Sequence, residues 1–135
     1  MFSSFLQKKK SRKRMKLKAL VVDDTEVMRM IVVMTLKDAG FDIVEADNGK
    51  QGLKLAKREN FDLVITDIRM PVMDGLQMIR KLRKLRQYLN TPILSLTNLN
   101  SDHFKQELKL AGANGWVQKP FGRNTLIETI QKLVA

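Results

Sequence analysis

Residues 61–67 read Phe-Asp-Leu-Val-Ile-Thr-Asp, an apolar run of the length of one β-strand that ends on a carboxylate. Short runs of this kind, rich in β-branched residues, are typical of strands buried in a parallel sheet. A similar run closed by polar residues recurs elsewhere, at Val21-Val22-Asp23-Asp24, Ser95-Leu96-Thr97 and Val117-Gln118-Lys119-Pro120. In an open α/β sheet, ligands bind outside the carboxyl ends of the strands. We therefore expect the polar residues of these runs to meet at one edge of a sheet.

Amphipathic stretches separate the apolar runs, which predicts repeated strand-helix units around a parallel sheet. The predicted strands are residues 17–22, 41–46, 61–66, 91–96 and 114–118. The predicted helices are residues 26–37, 49–58, 75–87, 102–110 and 124–134. Gly40 and Gly112 follow the first and fourth of these helices, and glycine supplies the left-handed backbone that ends many helices. The pattern indicates an α/β fold in one domain, since 135 residues is close to the common domain size.

The composition excludes several kinds of site. The chain has no cysteine and a single histidine, His103, which excludes disulfide scaffolds, zinc fingers, thiolate nucleophiles and histidine-rich metal sites. Oxygen ligands remain, and these suit hard cations such as Mg²⁺. No apolar run approaches the roughly 20 residues of a membrane-spanning helix. We expect a cytoplasmic protein.

The net charge of +11 is concentrated near the start of the sequence. The basic residues there, with no acid among them, are Lys8, Lys9, Lys10, Arg12, Lys13, Arg14, Lys16 and Lys18. We expect residues 1–16 to form a disordered basic tail, because like charges repel one another and few apolar residues are present. Three uses of the basic segment 8–18 stay open. The first is binding to nucleic acid with release of counterions, and the second is binding to an anionic membrane with Phe2, Phe5 and Leu6 inserted. The third is that the segment is only a solvated extension.

Asp23, Asp24 and Asp67 are the residues from which we expect the chemistry. Carboxylates at neighbouring strand ends offer the oxygen ligands that Mg²⁺ prefers. A carboxylate beside the metal can also accept a phosphoryl group and form an acyl phosphate. Each residue alone has an ordinary explanation, with Asp24 or Thr25 capping the next helix and Asp67 serving as a turn residue. Their shared position at strand ends favours Mg²⁺-assisted phosphoryl transfer.

Thr97 and Lys119 extend the same reasoning. A hydroxyl at the end of the fourth strand can donate to a phosphoryl oxygen, and an ammonium after the fifth strand can pair first with Asp67 and later with the added phosphate. Taken singly, a threonine at a strand end is usually a turn former and a lysine is usually solvated. Their position at the same edge as the aspartates makes a phosphoryl-binding role the better interpretation.

Three motifs stand out in combination. They are Val21-Val22-Asp23-Asp24, the run Ile65-Thr66-Asp67-Ile68-Arg69-Met70-Pro71-Val72-Met73-Asp74-Gly75, and Trp116-Val117-Gln118-Lys119-Pro120-Phe121. With these motifs the chain resembles the CheY-like receiver domains of two-component response regulators, from about Lys16 onward. The resemblance implies a three-layer flavodoxin-like (βα)5 sandwich with five parallel strands in the order 2-1-3-4-5. It also implies that residues 17–135 form the receiver domain.

The resemblance implies a role for each candidate residue. Asp67 is the implied phosphoacceptor, and Thr97 and Lys119 bind the new phosphoryl oxygens. The implied Mg²⁺ ligands are Asp23, Asp24, Asp67 and the backbone carbonyl of Arg69. Trp116 stands at the aromatic switch position of the family and is implied to swing inward as Thr97 moves, so that the face at about 102–134 binds a downstream protein. Such a chain assists its own phosphorylation and dephosphorylation but is not a turnover enzyme.

We expect a single-domain response regulator in chemotaxis-like or phosphorelay signalling, with a histidine kinase, a phosphotransfer protein or a small acyl phosphate as phosphodonor. The alternative is a receiver fragment of a longer DNA-binding regulator, which a helix-turn-helix region downstream in the full gene would show. Two enzyme classes with a similar layout fit poorly. Aspartate-nucleophile phosphatases usually carry a second acid where Arg69 stands, and flavodoxins need a phosphate-binding loop where Asp23 and Asp24 would repel the ligand.

Overall fold

The structure is a computed structural model that describes residues 16–134. Apart from Lys16, the predicted basic tail lies outside the described residues. The strands are β1 (Lys18–Val22), β2 (Asp42–Ala46), β3 (Leu63–Asp67), β4 (Ile93–Thr97) and β5 (Gly115–Gln118). The helices are α1 (Glu26–Asp38), α2 (Gly49–Arg58), α3 (Gly75–Leu82), α4 (Asp102–Ala111) and α5 (Arg123–Val134), with a short 3-10 turn at Arg86–Tyr88.

The five strands form one parallel sheet in the order β2-β1-β3-β4-β5. Every residue of β3 and β4 is buried, as the continuous apolar runs of these strands predict for the middle of a parallel sheet. The strands at either edge, β2 and β5, are only partly buried. The predicted fold class, a three-layer flavodoxin-like (βα)5 sandwich, is confirmed.

The helices cover both faces of the sheet, with an apolar core on each side. On one face, α1 and α5 bury residues such as Leu36 and Ile130 against alternate side chains of the strands. On the other face, α2, α3 and α4 bury residues such as Leu53, Met78 and Leu108. This layered arrangement brings all five carboxyl ends of the strands to one edge, which we call the carboxyl edge. In residues 16–134, no helix has the length and apolar character that crossing a bilayer would require.

Local sequence explains most of the helix ends. The side chains of Asn48, Asp74 and Ser101 each accept a hydrogen bond from a backbone N–H in the first turn of the following helix. Gly112 ends α4 in the left-handed conformation with a φ of 112°, and Gly40 follows α1 with a φ of 97°. Both predicted glycine stops are therefore confirmed.

The predicted helix 75–87 is wrong at its carboxyl end, because α3 ends at Leu82. The Arg83 guanidinium donates hydrogen bonds to the carbonyl oxygens of Tyr88, Thr91 and Gly112. The Tyr88 hydroxyl is buried and donates to the carbonyl oxygens of Ala56 and Glu59, at 2.6 and 2.7 Å. These long-range bonds turn the chain inward and override a local sequence that favours a helix.

The predicted strand bounds also shift along the sequence. β3 covers Leu63–Asp67 where residues 61–66 were predicted, and β4 covers Ile93–Thr97 where residues 91–96 were predicted. The pairing of Asp67 with Leu96 extends β3 by one residue beyond the end that the apolar pattern indicates, and the pairing of Thr97 with Gln118 does the same for β4. Asp67 and Thr97 are consequently the last residues of their strands.

Candidate functional site

The carboxyl edge brings together the candidate residues that the sequence singles out for phosphoryl and metal binding. Asp23 and Asp24 follow β1, Asp67 ends β3, Thr97 ends β4 and Lys119 follows β5. Backbone hydrogen bonds continue the sheet into this edge, since the Asp23 N–H donates to the Ala46 carbonyl at 3.1 Å and the Lys119 N–H donates to the Thr97 carbonyl at 2.7 Å. The side chains are therefore held on a rigid backbone.

Asp23 is fully buried, and its two carboxylate oxygens have different surroundings. Oδ1 accepts a hydrogen bond from the Thr25 N–H at 2.9 Å, whereas Oδ2 is buried and has no hydrogen-bond partner among residues 16–134. Burial raises the pKa of the Asp23 carboxyl; the Thr25 hydrogen bond lowers it, and the charge of Asp67 raises it further. A buried carboxylate oxygen without a partner costs free energy, so this atom favours a nearby cation.

Asp67 is also buried and contacts the ammonium of Lys119. Its Oδ1 lies 3.2 Å from Lys119 Nζ and accepts a hydrogen bond from the Ile68 N–H at 2.8 Å. The same ammonium lies 3.9 Å from Asp23 Oδ2. Lys119 thus stands between two carboxylates, and its single charge balances only part of theirs.

Three carboxylates form a candidate cation site at this edge. One oxygen each from Asp23, Asp24 and Asp67 can be chosen so that the three oxygens lie within 4.8 Å of one another. Asp24 is exposed while the other two are buried, which leaves a path to solvent. The donors are all oxygen, and the unpartnered Oδ2 of Asp23 is the kind of atom that a hard divalent cation satisfies, so the residues fit Mg²⁺. Asp24 and Asp67 line a cavity at the carboxyl edge. Arg69, in the loop that follows β3, lines this cavity as well.

Thr97 lines this cavity, whereas Trp116 lies apart from it. The Thr97 side chain is buried, and its Oγ1 accepts a hydrogen bond from the Leu99 N–H at 2.9 Å. Trp116 is half-buried on the face of the sheet that α4 covers. The ammonium groups of Lys105 and Lys109 lie 5.8 and 5.9 Å from the centre of its ring, within the range of a cation–π interaction.

The loop from Ile68 to Gly75 fixes the backbone of Asp67. The Gly75 N–H donates to the Ile68 carbonyl at 2.7 Å, and a Cβ atom at Gly75 would collide with the carbonyl oxygen of Asp67. Glycine is thus required where α3 begins against the end of β3. Val72, in the same loop, is exposed and has a φ of 71°, a conformation that costs free energy for a β-branched residue.

Sequence reasoning missed the contribution of the backbone. The N–H groups of Thr25 and Ile68 orient the two buried aspartates, and no residue-type signal identifies them. The requirement for Gly75 could have been predicted from the sequence, because this glycine is the last residue of the longest of the three motifs. Thr25 occupies the N-cap position of α1, but its side chain makes no capping hydrogen bond. The capping explanation therefore fails for Thr25.

Comparison with known proteins agrees with this geometry. A profile of the response regulator receiver domain matches residues 19–131. The chemotaxis protein CheY-3 of Vibrio cholerae is 37% identical over 118 residues, which cover 87% of this chain and 91% of that protein. The solved structure of the V. cholerae chemotaxis response regulator CheY4 has a TM-score of 0.84 and 43% identity, covering 87% of this chain and 98% of that one.

A third similar structure is the receiver domain of a sensor histidine kinase from Pseudomonas aeruginosa PAO1, solved with a magnesium ion coordinated in its active site cleft. It has a TM-score of 0.81 and 27% identity, and the match covers 87% of this chain and 97% of that one. The family profile spans most of the described residues, and these three relatives align over 91%, 98% and 97% of their own chains. This chain belongs to the family of CheY-like response regulator receiver domains, which are signalling proteins.

Proposed function

We propose that Asp67 accepts a phosphoryl group in a Mg²⁺-dependent reaction and that the chain acts as a single-domain response regulator. The observation that carries the proposal is the convergence of Asp23, Asp24 and Asp67 within 4.8 Å, with Lys119 Nζ 3.2 Å from Asp67 Oδ1. The buried carboxylates of Asp23 and Asp67 and the exposed carboxylate of Asp24 repel one another when they are held together in this way, and a bound metal ion would relieve that repulsion.

The three aspartates and the backbone carbonyl of Arg69 would hold the ion. The buried Oδ2 of Asp23, which lacks a hydrogen-bond partner among the described residues, supports this assignment. The magnesium ion in the cleft of the similar P. aeruginosa receiver domain supports it independently. Bound Mg²⁺ neutralises negative charge on the phosphoryl group as it is transferred.

Asp67 acts as the nucleophile. One of its carboxylate oxygens attacks the phosphorus of a phosphohistidine or of a small acyl phosphate, and a new P–O bond forms as the P–N or P–O bond of the donor breaks. The electron pair of the broken bond leaves with the donor group. Because Oδ1 already contacts Lys119 and the Ile68 N–H, we assign the attack to Oδ2.

Thr97 and Lys119 convert the added charge into a conformational change. The Lys119 ammonium and the Thr97 hydroxyl bind the new phosphoryl oxygens. Movement of Thr97 toward the phosphoryl group draws the following loop inward, and Trp116 rotates into the space left beside β4. The surface of residues 102–134 then binds a downstream protein. Trp116 is the only tryptophan in the sequence, so a fluorescence spectrum unchanged by full phosphorylation would contradict this step.

The phosphodonor protein docks on an apolar stripe of α1. Val27, Met30, Ile31 and Met34 are 67%, 52%, 47% and 59% exposed, and their spacing places them on one side of the helix. Contiguous exposed apolar surface marks a protein interface. Because α1 begins two residues after Asp24, a partner on the stripe also reaches the phosphoacceptor. Met30→Glu should slow phosphoryl transfer from a phosphorylated histidine phosphotransfer protein, whereas Leu110→Glu on α4 should not.

Phosphorylation of the purified chain tests the function directly. With Mg²⁺ and a small acyl phosphate, the wild type should gain one acid-stable, alkali-labile phosphate, measured by mass spectrometry before and after alkali. Asp67→Asn should abolish it and Asp102→Asn, a matched change on exposed α4, should preserve it. A phosphate that survives Asp67→Asn would overturn the assignment.

The interpretation as a single-domain regulator is supported by CheY-3, because the alignment covers 91% of that protein. The alternative, a receiver within a longer DNA-binding regulator, predicts a helix-turn-helix region encoded in the same open reading frame. Sequencing the full gene distinguishes the two. In either case the chain assists its own phosphorylation and dephosphorylation but is not a turnover enzyme.

A further inference from the structure

The surfaces of α2 and α3 carry charge of one sign. In residues 49–58 and 75–86 every charged residue is Lys or Arg. Arg83 is turned inward by its hydrogen bonds to backbone carbonyls. The others are exposed, and together they form what we call the cationic face: Lys50, Lys54, Lys57, Arg58, Arg80, Lys81, Lys84 and Arg86.

Within residues 16–134, no salt bridge joins a basic residue of the cationic face to a carboxylate. Among residues 16–134, the carboxylates that form salt bridges do so with basic residues outside this face, such as Lys18 with Glu59 and Arg29 with Glu45. Glu59, the acid that follows α2, is thus already paired, and Asp74, which precedes α3, accepts the capping hydrogen bond of that helix. The basic side chains repel one another in the free protein, and an anionic partner would remove this repulsion.

The kind of anion follows from what else the face presents. None of the large exposed apolar side chains in the described residues lies on it, although the centre of a protein interface usually needs apolar or aromatic anchors. The basic residues come from two helices that pack side by side, so they spread over a broad surface. Proteins that read the sequence of duplex DNA, in contrast, insert a helix or a two-stranded ribbon into the major groove. A broad basic surface matches the headgroups of an anionic bilayer.

We propose that the cationic face binds the surface of an anionic lipid bilayer. The proposal is independent of phosphoryl transfer, because none of the basic residues of the cationic face lines the cavity of the candidate site. It is also compatible with it, since α1 and its apolar stripe cover the opposite face of the sheet. A protein lying on lipid through α2 and α3 therefore keeps both its phosphoacceptor and its donor-docking surface open to solution.

Vesicle cosedimentation of the full chain tests the proposal. The probes are phosphatidylcholine vesicles with and without phosphatidylglycerol, and the variants are Lys54→Glu/Lys84→Glu on the cationic face and Lys37→Glu/Lys132→Glu on α1 and α5. The two variants change the net charge equally and replace exposed helical or near-helical lysines. Circular dichroism verifies that each is folded.

We expect the wild type to bind only the vesicles that contain phosphatidylglycerol, and raised salt to release it. The cationic-face variant should lose at least about 25-fold in partition coefficient, since each of the two lost basic residues contributes roughly fivefold and each new glutamate is repelled by the anionic lipid. The α1–α5 variant should stay close to the wild type. Equal loss in both variants, unchanged binding in the cationic-face variant, or binding to duplex DNA without binding to vesicles would each overturn the proposal.

Discussion

The packed layers of this molecule and its carboxyl edge differ in how their buried polar groups are paired. In the layers, buried polar groups are nearly all satisfied, as the Tyr88 hydroxyl and the Arg83 guanidinium show. The one exception among the described residues there is the hydroxyl of Ser95. At the edge, Asp23 is buried beside two more carboxylates, its Oδ2 has no hydrogen-bond partner among residues 16–134, and Val72 has an unfavourable backbone conformation.

The difference indicates where stability and function lie in the fold. Burial of apolar side chains and satisfied hydrogen bonds in the layers stabilise the chain. The carboxyl edge costs free energy in the absence of a ligand, because like charges are concentrated in a poorly solvated cavity. Changes in the layers should therefore destabilise the protein, whereas removal of charge or strain at the edge should stabilise it.

The largest effect is expected for Arg83→Ala, in the layers. It removes hydrogen bonds from a charged donor to several buried carbonyl groups, and we expect a loss of about 3 kcal/mol in the free energy of unfolding. Arg83→Lys should recover little, because an ammonium lacks the planar fork of donors. Urea unfolding measures the change, with exposed Arg80→Ala as control. Equal stabilities of the two alanine variants would show that the Arg83 hydrogen bonds do not stabilise the layers, and the distinction between layers and edge would be lost.

Asp23→Asn, at the edge, should have the opposite sign. Without divalent cations near neutral pH, we expect it to raise the free energy of unfolding by about 2 kcal/mol, because a neutral amide replaces a buried charge. The pKa of Asp23 is raised in the folded state. The destabilisation is therefore present above that raised pKa and is relieved as the pH falls through it toward the ordinary value. The difference in the free energy of unfolding between Asp23→Asn and the wild type should therefore decrease as the pH falls over this range.

The pH series for Asp23→Asn uses chemical unfolding at each pH. Asp102→Asn, on exposed α4, is the matched control and should track the wild type throughout. If Asp23→Asn were less stable than the wild type near neutral pH, the edge would contribute to stability and the contrast with the layers would be lost.

Binding of Mg²⁺ should stabilise the carboxyl edge and so reduce the difference between the edge and the layers. At a concentration tenfold above its dissociation constant, a ligand that binds only the folded state adds about 1.4 kcal/mol to the free energy of unfolding. We expect this gain in the wild type and its loss in Asp23→Asn, measured as a shift of the thermal midpoint. An equal shift in both proteins would indicate binding elsewhere.

The smallest effect is expected for Val72→Gly. Relief of the positive φ at this β-branched residue outweighs the added flexibility of the unfolded chain, and we expect a net gain of about 1 kcal/mol. Val72→Ala keeps a Cβ atom and should gain less. Thermal unfolding of the two variants provides the comparison, and a loss of stability in Val72→Gly would show that the loop is not strained.

The apolar runs predicted a parallel sheet and the edge at which Asp67 and Thr97 lie, because both follow from where those runs end, whereas the strand order was implied by the resemblance to receiver domains. Parallel strands share a carboxyl edge, so the position of Asp67 or Thr97 after its run was enough to place it. The end of α3 was not predictable, because it depends on Arg83 and Tyr88 reaching carbonyl groups that are distant in sequence. The orientation of each aspartate by a backbone N–H was equally hidden, since every residue except proline carries that group.

The hydrogen bond from the Leu99 N–H to Thr97 Oγ1 has a mechanical consequence. The hydroxyl uses a lone pair for this bond and retains its own proton for donation, so it can engage a phosphoryl oxygen without releasing the amide. If Thr97 moves toward a phosphoryl group as we propose, its side chain and the loop to Leu99 would move together. Since Ser101, which caps α4, follows Leu99 by two residues, this movement would also displace the first turn of α4.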